Sequence, residues 1–104
     1  LIGRLHKHGI IHGDLTTSNM ILTSSGNVYF VDFGLGEYSD EVEIRGVDLH
    51  LMKRALQSTH HVFAKQCFGA VAAGYARSVG QQEAAKVLEK IQEIERRGRY
   101  VEER

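Results

Sequence analysis

The spacing of apolar and polar residues divides the chain into a β-containing first part and a helical second part. Leu1–His8 places apolar residues on one face and is followed by Gly9, a pattern typical of the end of a helix. Two short apolar runs follow, Met20–Thr23 and Val28–Val31, and residues 24–27 between them have the composition of a turn. We therefore predict a β-hairpin over these runs.

From Gly46 onwards the pattern is helical throughout. We predict three helices there: Val47–Thr59, Val62–Val79 and Gln81–Arg97. The last has a clear apolar stripe and should stop at Gly98. Residues 32–45 are polar and interrupted by glycine, which predicts a loop. One hairpin and three helices cannot form a β-sandwich or a doubly wound sheet, so the predicted fold class is α+β, mainly α.

Composition changes this picture little. A chain of 104 residues, 42% apolar and 25% charged, can enclose one modest core, and no apolar run is long enough for a membrane span. Because the sequence opens inside a predicted helix, we expect residues 1–104 to be part of a larger domain, with residues 98–104 as a basic tail. The single cysteine, Cys67, fits a reducing, cytoplasmic setting and is expected to pack inside the fold.

The balanced net charge hides an asymmetry along the chain. Residues 1–52 hold three basic and seven acidic side chains, whereas residues 53–104 hold ten basic and six acidic ones. An acidic first half suits a metal site and a basic second half suits a polyanion, although either can be a solvated surface.

Three side chains in the first half form a pattern that indicates phosphoryl transfer. Asp14 and Asn19 lie five residues apart in one loop, and Asp32 follows Asn19 by thirteen residues, beyond the predicted hairpin. A hairpin brings its two ends together, so these loops should meet. Phosphoryl transfer requires a carboxylate near the nucleophile and oxygen ligands for Mg²⁺. The alternative is that Asp14 and Asn19 only cap a turn.

Several neighbouring residues allow two interpretations. His12 is expected to pack against Phe33 rather than to bind a metal, although six histidines allow a zinc site. Ile21 can form the floor under an adenine ring or simply belong to the core. Asp48 can hold the backbone of the loop at 12–14, or it can be an acidic residue favoured at a helix N-terminus.

The motifs carry a family resemblance. The spacing of Asp14, Asn19 and Asp32 resembles the protein-kinase pattern H-R-D-x-x-x-x-N followed by D-F-G. The strings at 12–19, 31–35, 46–49 and 55–60 resemble more narrowly the small atypical Ser/Thr kinase/ATPase subunit of the KEOPS/EKC complex, a RIO-like relative of protein kinases, in its archaeal form.

This resemblance implies a kinase-like C-terminal lobe that uses ATP and Mg²⁺. By analogy Asp14 is the catalytic residue, Asn19, Ile21 and Asp32 bind the nucleotide, and Asn19 and Asp32 hold the metal. The implied role is ATP-dependent support of threonylcarbamoyl-adenosine modification of tRNA. The implied partners are the other KEOPS subunits, chiefly the ASKHA-fold threonylcarbamoyl-transferase subunit, with no membrane.

Departures from ordinary kinases are informative. Gly13 replaces the arginine that senses a phosphorylated activation loop, and Thr16 replaces a lysine that faces the γ-phosphate. Only thirteen residues separate Gly34 from Asp48, which is too short for a peptide-binding platform. Peptide phosphorylation is therefore expected to be secondary to ATP hydrolysis.

The remaining predictions concern the missing part of the nucleotide site, the basic tail and the alternative functions. The residues contain no glycine-rich loop and no strand lysine for the α- and β-phosphates, so an N-terminal lobe is expected to be missing and the fragment alone to be inactive. The basic tail, with Arg96, Arg97, Arg99 and Arg104, can contact tRNA phosphates or be a solvated helix end. The alternatives in function are a small-molecule kinase of the aminoglycoside or choline type and a non-catalytic pseudokinase scaffold.

Overall fold

The computed structural model describes the backbone of residues 1–102 and the side chains of residues 1–98. It contains four α-helices, four short strands and one 3₁₀ turn within the described residues. In chain order these are α1 (Ile2–Lys7), β1 (Ile10–Ile11), the 3₁₀ turn (Thr17–Asn19), β2 (Met20–Leu22), β3 (Val28–Phe30), β4 (Glu37–Tyr38), α2 (Val42–Thr59), α3 (Ala64–Val79) and α4 (Gln81–Glu102). The predicted fold class, α+β and mainly helical, is confirmed.

The predicted hairpin is present. β2 and β3 pair antiparallel, with Met20 opposite Phe30 and Ile21 opposite Tyr29. The turn between them places Gly26 at φ +86°, a conformation that suits glycine. The hairpin therefore brings the end of β3 beside the start of β2, as the sequence predicted.

A second strand pair was not predicted. Ile10 and Ile11 of β1 pair antiparallel with Tyr38 and Glu37 of β4, and the amide of Ser39 donates to the carbonyl of Gly9 at 2.8 Å. Two-residue strands are too short to show any alternation of apolar and polar residues, so the sequence gives no signal for them. Their pairing ties the segment after Asp32 to the chain that leads into the loop at 12–19.

The helix bounds differ from those predicted in two places. α2 begins at Val42, five residues before its predicted start, and its first turn already contains the apolar Val42 and Ile44 and the buried Arg45. α4 continues past Gly98 to Glu102, so that glycine does not end the helix. A glycine inside a helix costs only about 1 kcal/mol, which is compatible with a helix anchored by packing further back. Arg99 and Arg104 of the predicted tail lie outside the residues whose side chains are described.

The core lies between α2, α3 and α4. α2 contributes Leu49, Met52 and Leu56, and α4 contributes Ala84, Val87 and Ile91, all of them buried. Tyr75 of α3, Ile2 of α1 and Leu15 of the loop at 12–19 belong to the same cluster. Leu15 has no exposed surface, so this loop is anchored directly in the core.

Ion pairs join α2 to α4 at the rim of that core. Lys53 lies 3.0 Å from Glu95, and Arg97 lies 2.6 Å from Glu43. The Arg97–Glu43 pair is exposed and the Lys53–Glu95 pair half-buried. A pair near the surface contributes roughly 0–1 kcal/mol, so burial of the apolar faces does more to hold these helices together.

Two expectations about the surface can be compared with the structure. Cys67 is exposed on α3, so the expectation that it packs inside the fold is wrong. None of the helices in the described part of the chain combines the length and the apolar character that a bilayer crossing demands.

Candidate functional site

The loop between β1 and β2 joins two of the predicted site residues. The side-chain amide of Asn19 donates to both the carbonyl oxygen and Oδ2 of Asp14, each at 3.0 Å. The 3₁₀ turn at Thr17–Asn19 makes this possible, because it folds the chain back over the five-residue separation. Asp14 is thereby fixed beside Asn19.

Asp32 is brought to the same end of the hairpin. The amide of Val31 donates to the carbonyl of Asn19 at 2.9 Å, which extends the strand pairing by one step. The next residue, Asp32, is exposed and has φ +60°, a left-handed conformation that few residues other than glycine, asparagine and aspartate adopt. The backbone thus turns sharply at this residue, directly beyond Asn19.

Two glycines allow the loops to touch. Gly13 has φ +90°, and a Cβ at this position would lie 2.3 Å from the carbonyl oxygen of Leu35. A Cβ on Gly36 would lie 2.9 Å from the carbonyl oxygen of Ile11. No side chain fits at either contact without displacing backbone. The glycine at position 13 therefore has a structural role besides the absence of an arginine side chain. It allows the backbone of the loop at 12–19 to contact the backbone at Leu35.

The carboxylate of Asp48 holds the first loop from below. Oδ2 accepts the backbone N–H of His12 at 3.1 Å, and Oδ1 accepts that of Gly13 at 3.0 Å. The side chain is 1% exposed, and it lies within α2 rather than at its start. The interpretation of Asp48 as a loop-holding residue is confirmed, and its interpretation as a residue of a helix N-terminus is wrong.

A buried chain of hydrogen bonds extends from this carboxylate into two other helices. His6 of α1 donates from Nε2 to Oδ2 of Asp48 at 2.7 Å, and its Nδ1 accepts from the hydroxyl of Tyr75 of α3 at 2.7 Å. A carboxylate can only accept, which assigns the ring proton of His6 to Nε2. Burial raises the pKa of Tyr75 well above its usual range, so this hydroxyl stays protonated.

Neither His6 nor Tyr75 was predicted to belong to the site. The two residues are 69 positions apart and carry no motif, so only the packing of α1 against α3 brings them together. The one hint in the sequence is that His6 follows Ile2 by four residues, which places both on one face of a helix.

His12 has the packing role that was predicted. Its ring centroid lies 4.4 Å from that of Phe33, and its Nε2 donates to the carbonyl of Val31 at 2.8 Å. Its Nδ1 accepts the amide of Asp14 at 3.1 Å. Both ring nitrogens are therefore occupied by protein groups, and the ring links the two loops.

Ile21 is half exposed on β2, opposite the exposed Tyr29. The interpretation of Ile21 as a core residue is therefore wrong. An exposed apolar side chain on the hairpin is compatible with the predicted floor under a planar ligand, which stays a prediction.

The residues present fit a hard divalent cation. The amide nitrogen of Asn19 is bonded to Asp14, which leaves its Oδ1 available, and the exposed Asp32 accepts no hydrogen bond from the side chains at 1–98. A carbonyl oxygen and a carboxylate are ligands that Mg²⁺ prefers. No group of three or more His, Cys, Asp or Glu side chains within residues 1–98 is arranged to hold a metal.

The sequence of the chain is similar to those of several known proteins. The chain is 55% identical over 101 residues to KEOPS complex subunit Bud32 of Pyrococcus abyssi, which covers 97% of the chain and 46% of that protein. It is 52% identical to a probable bifunctional tRNA threonylcarbamoyladenosine biosynthesis protein of Methanothermobacter thermautotrophicus, over 97% of the chain and 18% of that protein.

A eukaryotic protein, EKC/KEOPS complex subunit BUD32 of Debaryomyces hansenii, is 42% identical over 95% of the chain and 41% of its own length. No protein-family model matches the chain. The chain thus spans less than half the length of the curated relatives it matches, and the family resemblance found in the motifs is confirmed.

Proposed function

From the premise that the chain is a homologue of the Bud32 subunits of KEOPS complexes, we propose that it is part of an ATP-dependent phosphotransferase or ATPase that supports threonylcarbamoyl-adenosine modification of tRNA. The observation that carries the proposal is the bonded pair Asp14–Asn19 next to the turn at Asp32. The buried Asp48 holds the backbone beneath this pair.

Each residue of the site has a defined task in this proposal. Asp14 orients the attacking hydroxyl, of water or of a Ser or Thr side chain, and accepts its proton. Asn19 and Asp32 would hold Mg²⁺, which would supply positive charge to the phosphates of ATP. Ile21 lies under the adenine ring. Because Asn19 bonds both the carboxylate and the backbone of Asp14, it fixes the direction in which the carboxylate points.

Water suits this site better as the nucleophile than the side chain of a peptide does. The segment after Gly34 forms β4 and then enters α2 at Val42, leaving no room for a peptide-binding platform. Thr16 offers no cation to the γ-phosphate. ATP hydrolysis that gates a partner fits this site better than processive protein phosphorylation.

The proposed setting is a multisubunit one. The names of the relatives state that they are KEOPS or EKC/KEOPS subunits or tRNA threonylcarbamoyladenosine biosynthesis proteins. We extend this to the present chain, with the threonylcarbamoyl-transferase subunit as its principal partner. A second lobe that supplies the glycine-rich loop and a phosphate-binding lysine is required to close the nucleotide cleft.

Replacement of one metal-binding residue tests the proposal. A chimera in which these residues replace the aligned region of the Pyrococcus abyssi relative supplies the second lobe. Asp32→Ala in this chimera should reduce Mg²⁺-ATP turnover at least about 100-fold, because the cation loses a carboxylate ligand. The matched control is Asp40→Ala, an exposed aspartate outside the site. Equal turnover in the two variants would contradict the proposal and favour a non-catalytic scaffold.

A further inference from the structure

Two stretches of the chain contain no acidic residue. Residues 1–13 hold Arg4 and Lys7, and residues 49–82 include Lys65 and Arg77, with no Asp or Glu in either stretch. α1 lies in the first stretch and α3 in the second. Any surface that these two helices share therefore carries positive charge alone.

The two helices do share a surface, because they pack at unusually short range. A Cβ on Gly3 of α1 would lie 2.5 Å from Cβ of Ser78 in α3, so the backbones approach where Gly3 has no side chain. Beside this contact is a groove with a cavity volume of about 510 Å³. Arg4, Lys7 and His8 line it from α1 and the residue after it, and Arg77 lines it from α3.

Within residues 1–98, the cations of this groove are not neutralised by acidic side chains. Arg4, Lys7 and Arg77 are exposed, and among the side chains at 1–98 none of the three forms an ion pair. Lys53 and Arg97, in contrast, are both paired with glutamates. The groove is therefore a place where the charge of the chain remains available to a ligand.

We propose that this groove binds the phosphate backbone of RNA. Arginine presents a planar fork of donors that matches two phosphate oxygens, and lysine adds a mobile point charge. The lining of the groove contains no Phe, Tyr or Trp, and His8 is its one aromatic side chain, so it would bind the backbone rather than read sequence. It shares no residue with the site at Asp14, Asn19 and Asp32.

The identity of the RNA as tRNA rests on the proposed function, whereas the groove itself does not. The surface also differs from the predicted basic tail, which lies at the far end of α4.

Binding of unmodified tRNA to the chain, followed by fluorescence anisotropy over a series of salt concentrations without ATP, tests the groove. The variant carrying Arg4→Ala, Lys7→Ala and Arg77→Ala should bind at least about 10-fold more weakly. The slope of log affinity against log salt should fall by about 2, since each lost phosphate contact removes somewhat less than one unit. The charge-preserving variant with Arg4→Lys and Arg77→Lys should retain the slope, because the number of phosphate-facing charges is unchanged.

A matched control removes the same number of charges elsewhere. The variant with Arg54→Ala, Lys65→Ala and Lys86→Ala should bind tRNA like the unaltered chain, because these residues do not line the groove. Equal weakening in both triple variants would overturn the proposal in favour of net charge alone. Competition by poly-glutamate as effective as that by tRNA at equal charge would overturn it in favour of an acidic protein partner.

The failure of the two proposals can be told apart. In the chimera, Asp32→Ala should reduce ATP turnover at least about 100-fold and leave tRNA binding unchanged. The groove variant should bind tRNA more weakly and should turn over ATP, measured without tRNA, at the rate of the unaltered chimera. Circular dichroism and thermal unfolding show whether each variant is folded. If the triple alanine variant is not, the single variants Arg4→Ala and Arg77→Ala decide the test, each expected to lower the slope by somewhat less than one unit; an unchanged slope in both would overturn the proposal.

Discussion

The carboxylate of Asp48 accepts from three donors, which come from two parts of the fold. Two are backbone amides of the loop at 12–13, and the third is the ring of His6. A buried carboxylate is tolerated only with such partners, because each unpaired polar group in the interior costs about 1–3 kcal/mol. The charge and the loop geometry are therefore interdependent.

The residues of the candidate site were predictable to the extent that they form a motif. The spacing of Asp14, Asn19 and Asp32 specified the pair of loops, and the glycines after Asp32 specified a turn. His6 and Tyr75 were not predictable, because their contact depends on how two helices pack and not on local sequence. The exposure of Ile21 was equally open, since a three-residue strand does not reveal which of its faces is buried.

High pH should destabilise the fold through Tyr75. Burial, chiefly, raises the pKa of this hydroxyl, so the folded state keeps a proton that the unfolded state releases near about pH 10. Stability is thus unaffected by this group at lower pH and falls as the pH rises above that value, by up to about 1.4 kcal/mol per pH unit. Urea unfolding from about pH 8 to about pH 11 measures the effect.

Tyr75→Phe provides the control for this titration. It should cost about 1 kcal/mol at neutral pH through the lost hydrogen bond to His6, and it should remove the additional loss at high pH. If the free energy of unfolding falls equally with pH in both proteins, the loss of stability is due to titration of the lysines and not to Tyr75.

At the scale of elements, predictability followed the length of the element. The hairpin and all three long helices were predicted, because each contains enough residues to show its period. The pair β1–β4 was not, since two residues show no period. The end of α4 was misplaced because a glycine stops a helix only where nothing beyond it favours continuation.

The contact between α1 and α3 depends on Gly3. Gly3→Ala would place a Cβ 2.5 Å from Cβ of Ser78 and 3.2 Å from the carbonyl oxygen of Tyr75. We expect a loss of about 1–3 kcal/mol in the free energy of unfolding, because the helices must separate. Chemical denaturation measures this loss.

Gly69→Ala is the matched control for this helix pair. A Cβ on Gly69 of α3 would meet no atom within 4 Å, so alanine should stabilise the helix by about 0.5–1 kcal/mol. A similar effect of the two substitutions would contradict the account of close packing at Gly3.

At the scale of the whole molecule, the three long helices form a platform and the loops rest on it. Leu15 anchors the first loop in the core, and Asp48 bonds it from within α2. The charge asymmetry of the chain was visible in the sequence. The sequence did not show which cations remain unpaired. That depends on the packing of α2 against α4, which places Lys53 and Arg97 beside glutamates from distant positions.

The bonds from Asp48 to the loop have a consequence for amide hydrogen exchange. The N–H groups of His12 and Gly13 can reach solvent only when α2 withdraws, so they should exchange by global unfolding, whereas amides of the exposed turn at 24–26 exchange by local opening. Exchange followed by NMR at increasing denaturant should give these two amides the same slope as those of Leu49 and Met52.

Fast exchange of His12 and Gly13, at the rate of the hairpin turn, would contradict this view. If they are instead as slow as the core, the loop is rigid up to Gly13 on the timescale of turnover. Any adjustment to a ligand then begins at Asp14, and the mobile part of the site is confined to the few residues that would touch the phosphates.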